Sequence, residues 1–564
     1  MKELVKEHIA KALGITGDFD IAVPEVAQFG HYSTNLAMRL AKERKTAPIK
    51  LAQEFAEALK KEKVFSKVEA VAPGFINLWL ADEFLTSEFA KVIGNPTSLP
   101  EELRGARGTV VIDQCGTNIA KPMHVGHLRS TIIGAALSNI YEAIGYKAIR
   151  WNYLGDWGTQ FGKLIAAYKL WGDKKAIEAD PIPALLALYI RFHDEMKTNP
   201  DLDKQGQEEF RKLEEGDGEN RKLWEWFKDE SMLAFDKLYK RLDVKFDHNI
   251  GESFYEEEMR PVINELKEKS IAVPSEGGVI VHLEKFDLPV ALVQKSDGAS
   301  LYITRDIASI RHRISKYKPA KLLYVVANEQ SLHFSQLFAI ANLLGITDVE
   351  MAHIKFGMVL GEDGKKLSTR EGKAIKLEDV LDTITEKAFE AVKKNNAEMS
   401  EKDQRAIAEI IGIGALKYND LKENRVSDIT FNWDHMLDMR GDSAPYLQYT
   451  VVRLLSIIKK AGTMRAHSSS DLNAVDDDLK PVIMKKVIDY WDIVALCAES
   501  NLTSHLAKYL FELAKLGSQY YESVRILDDE NTPRRNGRLV LINSVAQTLT
   551  AGLKLLGIEV PERI

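Results

Sequence analysis

At 564 residues the chain is too long for one hydrophobic core, and roughly 150 residues per domain predicts three or four packed units. Hydrophobic residues make up 45% and charged residues 28%, while 35 glycines and 17 prolines are too few for a collagen-like, low-complexity or wholly disordered chain. Lys plus Arg number 76 against 83 Asp plus Glu, a formal net charge of −7, so contact with an anionic partner has to come from a local patch.

The two cysteines, Cys115 and Cys497, exclude a disulfide scaffold or a cysteine-rich zinc site and fit a reducing cytoplasm. The opening MKELVKEHIAKALGI is a mixed-charge amphipathic pattern without the apolar segment of a secretory signal. No stretch supplies the roughly 20 apolar residues that a bilayer crossing needs, so no membrane partner is expected. Residues 1–105 alternate helical periods with strand-like runs and end in NPTSLPEELRGARG, where Pro, Gly and charge replace apolar periodicity. This predicts an N-terminal α+β domain.

From Gly108, TVVID is a β-branched strand, QCGTNIAKPMHVGH a loop, LRSTIIGAALSNIYEAIGY a long helix and AIRWNYLG a second strand. That is the unit of a parallel sheet. KLLYVVA, HFSQLFAIANLLG and HIKFGMVLG form a second such unit, and about 165–290, rich in Lys, Glu and Trp, is expected as a mainly helical insertion. Residues 106–385 are thus expected to be a Rossmann-like α/β domain. Beyond 385 helical periods dominate, in KDQRAIAEIIGIGALKYND, APYLQYTVVRLLSIIKKAG and SHLAKYLFELAKLGSQYYESV, so 386–564 is expected as an α-helical bundle. DLKENRVSDITFNWDH is expected as an irregular connector, and no repeat of fixed period is present.

The first strand-to-helix loop carries Lys121, His124 and His127 around Pro122 and Gly126. Proline restrains such a loop, glycine lets backbone approach a ligand, and amides opening a helix favour an anion. Two imidazoles can donate to an α-phosphate whose charge grows during displacement, while a lysine neutralises the leaving group, which points to adenylyl transfer. Taken alone, a His-x-x-His pair equally fits a helix cap or adventitious metal contact. The second unit adds EDGKKLSTREGK, a Gly-containing basic loop with Lys365, Lys366, Arg370 and Lys373. In an open parallel sheet, ligands bind where loops from the two halves meet beyond the carboxyl ends of the strands.

His-Val-Gly-His resembles the His-Ile-Gly-His signature of class I aminoacyl-tRNA synthetases, and Lys366-Leu367-Ser368-Thr369 resembles their Lys-Met-Ser-Lys loop. NIAKPMHVGHLRSTIIG, GDWGTQFG, LYITRD, SAPYLQY and LLGIEVPER, in that order, look like the arginyl-tRNA synthetases within the class. The resemblance implies an arginine–tRNA ligase using ATP and Mg²⁺ on the phosphates, with tRNA-Arg as partner, activation dependent on tRNA, and a monomeric state. It implies catalytic roles for Lys121, His124, His127 and Lys366, and ATP contacts from these residues together with Gly126, Lys365 and Ser368. No resident metal site is implied. Thr369 stands where the family loop has its second lysine, and Lys121 is expected to supply the missing cation.

A guanidinium is planar, always charged and has five donors, so its pocket needs carboxylates beside a flat or polar wall. Tyr302 and Asp306, four apart, fall on one face if a helix has begun there. The resemblance assigns arginine recognition to Tyr302, Asp306, Gln330 and Glu252, and the amino-acid backbone to Asn118. Segment Asp156–Gln160 is expected near the site, either lining it or supporting a loop. For tRNA, the resemblance implies an anticodon-binding bundle using Tyr446, Gln448 and Arg453, and elbow contacts from Tyr32, Phe75 and Asn77. His31 departs from the acid usual in the family. Two other readings are a small-molecule nucleotidyltransferase, usually much shorter, and a tRNA-binding paralogue without catalysis.

Overall fold

The computed structural model describes the whole chain except residues 25, 296–300, 362, 366, 368–374 and 463–468, and except the side chains of residues 27, 102 and 469. The chain divides into two compact units. One comprises Met1–Glu101, Leu447–Leu496 and Lys508–Gly552; the other comprises Glu102–Tyr446, Cys497–Ala507 and Leu553–Ile564. Among the described residues, no helix is long and apolar enough to cross a membrane.

In the first unit, strands Ile21–Ala22, Tyr32–Thr34, Phe75–Leu80 and Phe65–Val71 lie side by side in that order as an antiparallel sheet. FINLWL supplies its most apolar strand, with Ile76 and Leu78 fully buried. Helix Asp82–Ala90 packs on helix Lys480–Ile488, where Lys480 and Asp82 pair at 3.0 Å. The N-terminal residues thus share a core with helices from the last quarter of the chain.

The second unit is built on a five-stranded parallel sheet. Its strands are β1 (Thr109–Gln114), β2 (Lys147–Asn152), β3 (His248–Asn249), β4 (Lys321–Tyr324) and β5 (Glu350–His353), in spatial order β5-β4-β1-β2-β3. Val110, Val111 and Ile112 are buried on both faces, as a central parallel strand requires. Helix α1 (Val125–Ala143) links β1 to β2, and α7 (Ser331–Leu343) links β4 to β5. From β1 the chain proceeds to β2 and β3 on one side, then crosses to β4 and β5 on the other. The switch point therefore lies between β1 and β4, where open α/β sheets bind ligands.

Between β2 and β3 stand α2 (Thr159–Trp171), α3 (Pro181–Met196), α4 (Asp201–Glu214) and α5 (Gly218–Arg241), the expected helical insertion. Its continuation is not helical throughout: strands Ala272–Ser275, Gly278–Val281 and Ala291–Gln294 form an antiparallel sheet before α6 (Tyr302–Tyr317). Two-residue alternation and the Glu276-Gly277 turn, both residues at positive φ, override the local charge there. Beyond the sheet, α8 (Leu377–Asn395) packs against α9 (Glu401–Leu421). The connector after α9 holds a short strand, Ile429–Thr430, paired parallel with Val359–Leu360.

Candidate active site

Three backbone positions with positive φ, Cys115 (73°), Gly116 (67°) and Ala120 (61°), turn the chain sharply between β1 and α1. Two of them carry side chains, and such strain persists only where surroundings hold it. Here Asn118 bridges to Gly155 after β2, and α5 supports the loop from below: Ala120 N donates to Ser231 Oγ at 3.1 Å, and Thr117 Oγ1 bonds Tyr239 Oη at 3.2 Å. Burial pushes the Cys115 thiol up to about 11, so it is held protonated and unreactive.

His124 is the N-cap of α1, and its Nδ1 accepts from Gly126 N at 3.0 Å. His127 Nδ1 reaches back to accept from His124 N at 3.1 Å, so the two imidazoles form a reciprocal capping box. Their ring centroids are 3.9 Å apart. With its Nδ1 accepting, a neutral imidazole carries its proton on Nε2. Burial, reinforced by His124, pushes His127 down to about 3, so it meets an anion as a neutral N–H donor. The capping reading and the phosphate reading therefore use different nitrogens of the same rings.

Both histidines and Gly126 line a cavity of about 350 Å³ between the ends of β1 and β4, with Gly116, Ser130, Val326, Phe356 and Leu367 among its other walls. Ser130 ties the two strands beneath it: its Oγ donates to Val325 O at 2.5 Å and accepts from Cys115 N at 2.9 Å. The segment after the basic loop also meets the histidine turn, since Leu377 N donates to Met123 O at 2.9 Å and Val125 N donates to Ile375 O at 3.3 Å. Leu367 and Ile375 thus bring both ends of that loop to the histidines. Lys366, Ser368, Thr369, Arg370 and Lys373 lie outside the described residues; Lys365 is exposed.

Lys121 is not brought into the cavity. Its ammonium lies over the Tyr189 ring of α3, 5.6 Å from the centroid. Of the two imidazoles and one ammonium expected at the phosphates, the imidazoles alone line the cavity.

The arginine candidates lie on three elements. Glu252 opens a short 3₁₀ helix, Glu252–Tyr255, whose backbone is pinned by Asp156: Ser253 N and Oγ donate to the two Asp156 carboxylate oxygens at 2.9 and 2.8 Å. Asp156 is fully buried and also receives Lys228 Nζ at 2.6 Å, so the GDWGT segment supports a loop. Burial is the largest reason that Glu252 is pushed up to about 7; Asp156, Asp306 and Glu256 add to it and Arg305 opposes it. Asp306 and Tyr302 both sit in the first turns of α6, as the four-residue spacing predicts, and Tyr302 is 67% exposed. Asp306 Oδ2 lies 2.6 Å from His333 Nε2. Gln330 caps α7 and is exposed, as is Asn118.

Sequence reasoning missed Arg129, Asp420, Asp113 and Arg313. Arg129 is fully buried beside the cavity and spends its donors on both Asp420 oxygens, at 2.9 and 3.1 Å, and on the carbonyls of Gly357, Ser427 and Arg425. Arg313 pairs with Asp113 at 2.6 Å, its guanidinium 4.6 Å from the Trp151 ring centroid. Only an arginine buried in a helix pattern signalled either pair. The tRNA candidates divide by exposure. Tyr32 is buried and its hydroxyl donates to Asp489 at 3.2 Å; Asn77 and Gln448 are buried as well. Phe75 is 39% exposed, while Tyr446 and Arg453 are part-exposed. His31 is half-buried, its Nδ1 accepting from Leu80 N at 2.9 Å, and desolvation pushes it down to about 4.

Residues 95–433 match the family described as tRNA synthetases class I (R), catalytic domain; residues 447–564 match the DALR anticodon binding domain, and residues 1–80 the arginyl tRNA synthetase N terminal domain. An arginine–tRNA ligase of Exiguobacterium sp. is 40% identical over 527 residues, covering 93% of this chain and 92% of that protein. One of Ligilactobacillus salivarius is 40% identical over 546 residues, covering 96% and 95%. The crystal structure of arginyl-tRNA synthetase from Plasmodium falciparum superposes with a TM-score of 0.85 at 26% identity, covering 100% of this chain and 98% of that one. These likenesses run the full length, which a small nucleotidyltransferase would not share. The histidine turn at the switch point, its cavity and the matched segments together identify this chain as a member of the arginyl-tRNA synthetase family.

Proposed function

We propose that the histidine turn and the carboxylates of Glu252 and Asp306 are the two halves of one arginine-activating site. As a member of its family the chain ligates arginine to tRNA, with ATP as the energy source. In the first step an arginine carboxylate oxygen attacks the α-phosphorus; the bond to the β-phosphate breaks and pyrophosphate leaves. In the second, the terminal ribose hydroxyl of tRNA-Arg attacks the activated carbonyl and AMP leaves. Positioning and charge stabilisation supply most of the acceleration in such transfers.

In this reading His124 and His127 donate Nε2–H to the α-phosphate as its charge grows, and Gly126 lets the phosphate approach the amides of α1. Lys365, Lys366 and Ser368 close over the β- and γ-phosphates, and Lys121 supplies the cation that Thr369 does not. Asp306 and Glu252 receive the guanidinium, Tyr302 and Gln330 flank it, and Asn118 holds the amino-acid backbone. Among the described residues no cluster of three His, Cys, Asp or Glu side chains could cage a metal. Mg²⁺ would arrive with the nucleotide phosphates, adding charge neutralisation there. For tRNA, Phe75, Tyr446 and Arg453 are the surface contacts, with Tyr32, Asn77 and Gln448 supporting them from within the fold. The three sequence segments 1–105, 106–385 and 386–564 divide elbow contact, catalysis and anticodon binding among them. The enzyme works as a cytoplasmic monomer, and its two buried free thiols suit a reducing compartment.

The observation that carries this reading is that both imidazoles are fixed through Nδ1 by the helix cap and line one cavity. Activation requires tRNA in this account, supported by Lys121 resting on Tyr189 rather than beside the histidines. Arginine-dependent ATP–pyrophosphate exchange tests it: exchange is expected with tRNA-Arg and not without it. Equal exchange in both conditions would contradict tRNA dependence, and no exchange in either would contradict the site.

A further inference from the structure

We infer that His333 is a positioning residue for arginine, holding the Asp306 carboxylate in one fixed orientation. This rests on the proposal above that Asp306 receives the guanidinium. His333 stands in the first turn of α7, three residues after Gln330, the residue that caps that helix. Its Nε2 lies 2.6 Å from Oδ2 of Asp306, in the first turns of α6. One hydrogen bond thus joins the helix that carries the carboxylate to the turn that carries the amide. The imidazole is itself fixed from behind. It meets Phe334 edge-on with centroids 5.4 Å apart, and Phe334 packs on Tyr324 at 5.1 Å and His353 at 4.5 Å.

A carboxylate has two oxygens and rotates about χ2, so an unheld Asp306 samples many orientations toward a planar guanidinium. By taking Oδ2, His333 sets the carboxylate plane and leaves Oδ1 to meet one edge of the guanidinium. The two side chains are 25% and 23% exposed, so the bond adds to folding on the modest scale of a single hydrogen bond. A role in arginine affinity with little role in stability distinguishes a positioning residue from a structural one.

Steady-state aminoacylation of tRNA-Arg, with arginine and ATP varied separately, tests this in His333→Ala, His333→Gln, Asp306→Asn and the double variant Asp306→Asn/His333→Ala. His333→Ala is expected to raise the arginine KM about tenfold, the scale of a hydrogen bond to a charged group. The ATP KM and the Tm should stay near the starting values. His333→Gln, whose amide N–H can reach the same oxygen, should recover most of the loss. On the Asp306→Asn background the second substitution should add nothing, because the two act as one unit. If the alanine variant loses its thermal transition, His333→Leu, of similar volume, takes its place.

An unchanged arginine KM in His333→Ala, an equal rise in both KM values, or additive effects in the double variant would overturn the inference while leaving Asp306 in its role. An unchanged arginine KM in Asp306→Asn would instead overturn the pocket reading, and the inference with it.

Discussion

At position 126 a side chain cannot be added without moving His124, since a Cβ there would sit 2.9 Å from Cε1 and 3.0 Å from Nδ1 of that ring. The same imidazole accepts from Gly126 N, so the residue that lacks a side chain is also the one that orients the donor. Gly126→Ala should therefore lower arginine-dependent exchange by roughly ten- to a hundredfold, the scale of displacing one transition-state donor, with the Tm almost unmoved. A rate near that of the unsubstituted enzyme would show that His124 is not held by this contact. Glu252 offers a pH test. Its pKa is raised to about 7 in the folded chain, so the folded state holds the proton more tightly than the unfolded one. The stability this contributes is present below the ordinary carboxylate pKa near 4.5 and is lost as pH rises through about 7. Arginine needs the ionised form, so its KM should fall by about tenfold between pH 6 and 8, and the fall should vanish in Glu252→Gln. A pH profile identical in the two proteins would remove Glu252 from the pocket.

Among the elements, α1 does most to join the halves of the sheet. It begins on the histidine cap, and one turn later Arg129 ties it to α9 through Asp420, 291 residues away in sequence. Burial raises the Asp420 pKa and Arg129 opposes that rise. Breaking a buried pair from one side leaves an uncompensated charge, so Asp420→Ala should lower unfolding stability by about 3–5 kcal/mol. Urea denaturation of the second unit's signal measures it, and a loss below about 1 kcal/mol would mean that Arg129 finds other partners. The start of α1 was legible because strand, loop, cap and helix are contiguous, and Pro122, Gly126 and the apolar run after it are local signals. The Arg129–Asp420 pair was not, because nothing local pairs residues so far apart. The sheet of residues 272–294 was missed for a related reason: its short strands are stabilised by one another and by α6, with little signal in each alone.

On the scale of the whole chain, the alternation of strand and helix was enough to place a parallel sheet, while Leu367 and Ile375 reach the histidine turn from beyond a separate strand pair, Val359–Leu360 with Ile429–Thr430. Strand order itself was not legible, yet it puts the crossover between β1 and β4, and the cavity with it. Register was not legible either: Val110, Val111 and Ile112 pair with β2 on one side and β4 on the other and are covered on both faces, so burial places the strand at the centre of the sheet without fixing its register. The residues proposed to meet tRNA were least legible, because a tyrosine at helical or strand spacing fits core and surface equally; Tyr32 proved buried and Phe75 exposed. Lys121 shows the same limit, since a long flexible side chain is placed by its neighbours, here Tyr189, and not by its own segment.

The most direct measurement is tRNA-stimulated ATP–pyrophosphate exchange in His124→Ala and His127→Ala, with ATP binding measured alongside. If the two Nε2–H groups meet the α-phosphate chiefly as its charge develops, each variant should lose about 10²-fold or more in rate while binding ATP within a fewfold of the unsubstituted enzyme. Rates that stay within a fewfold in both variants would contradict it.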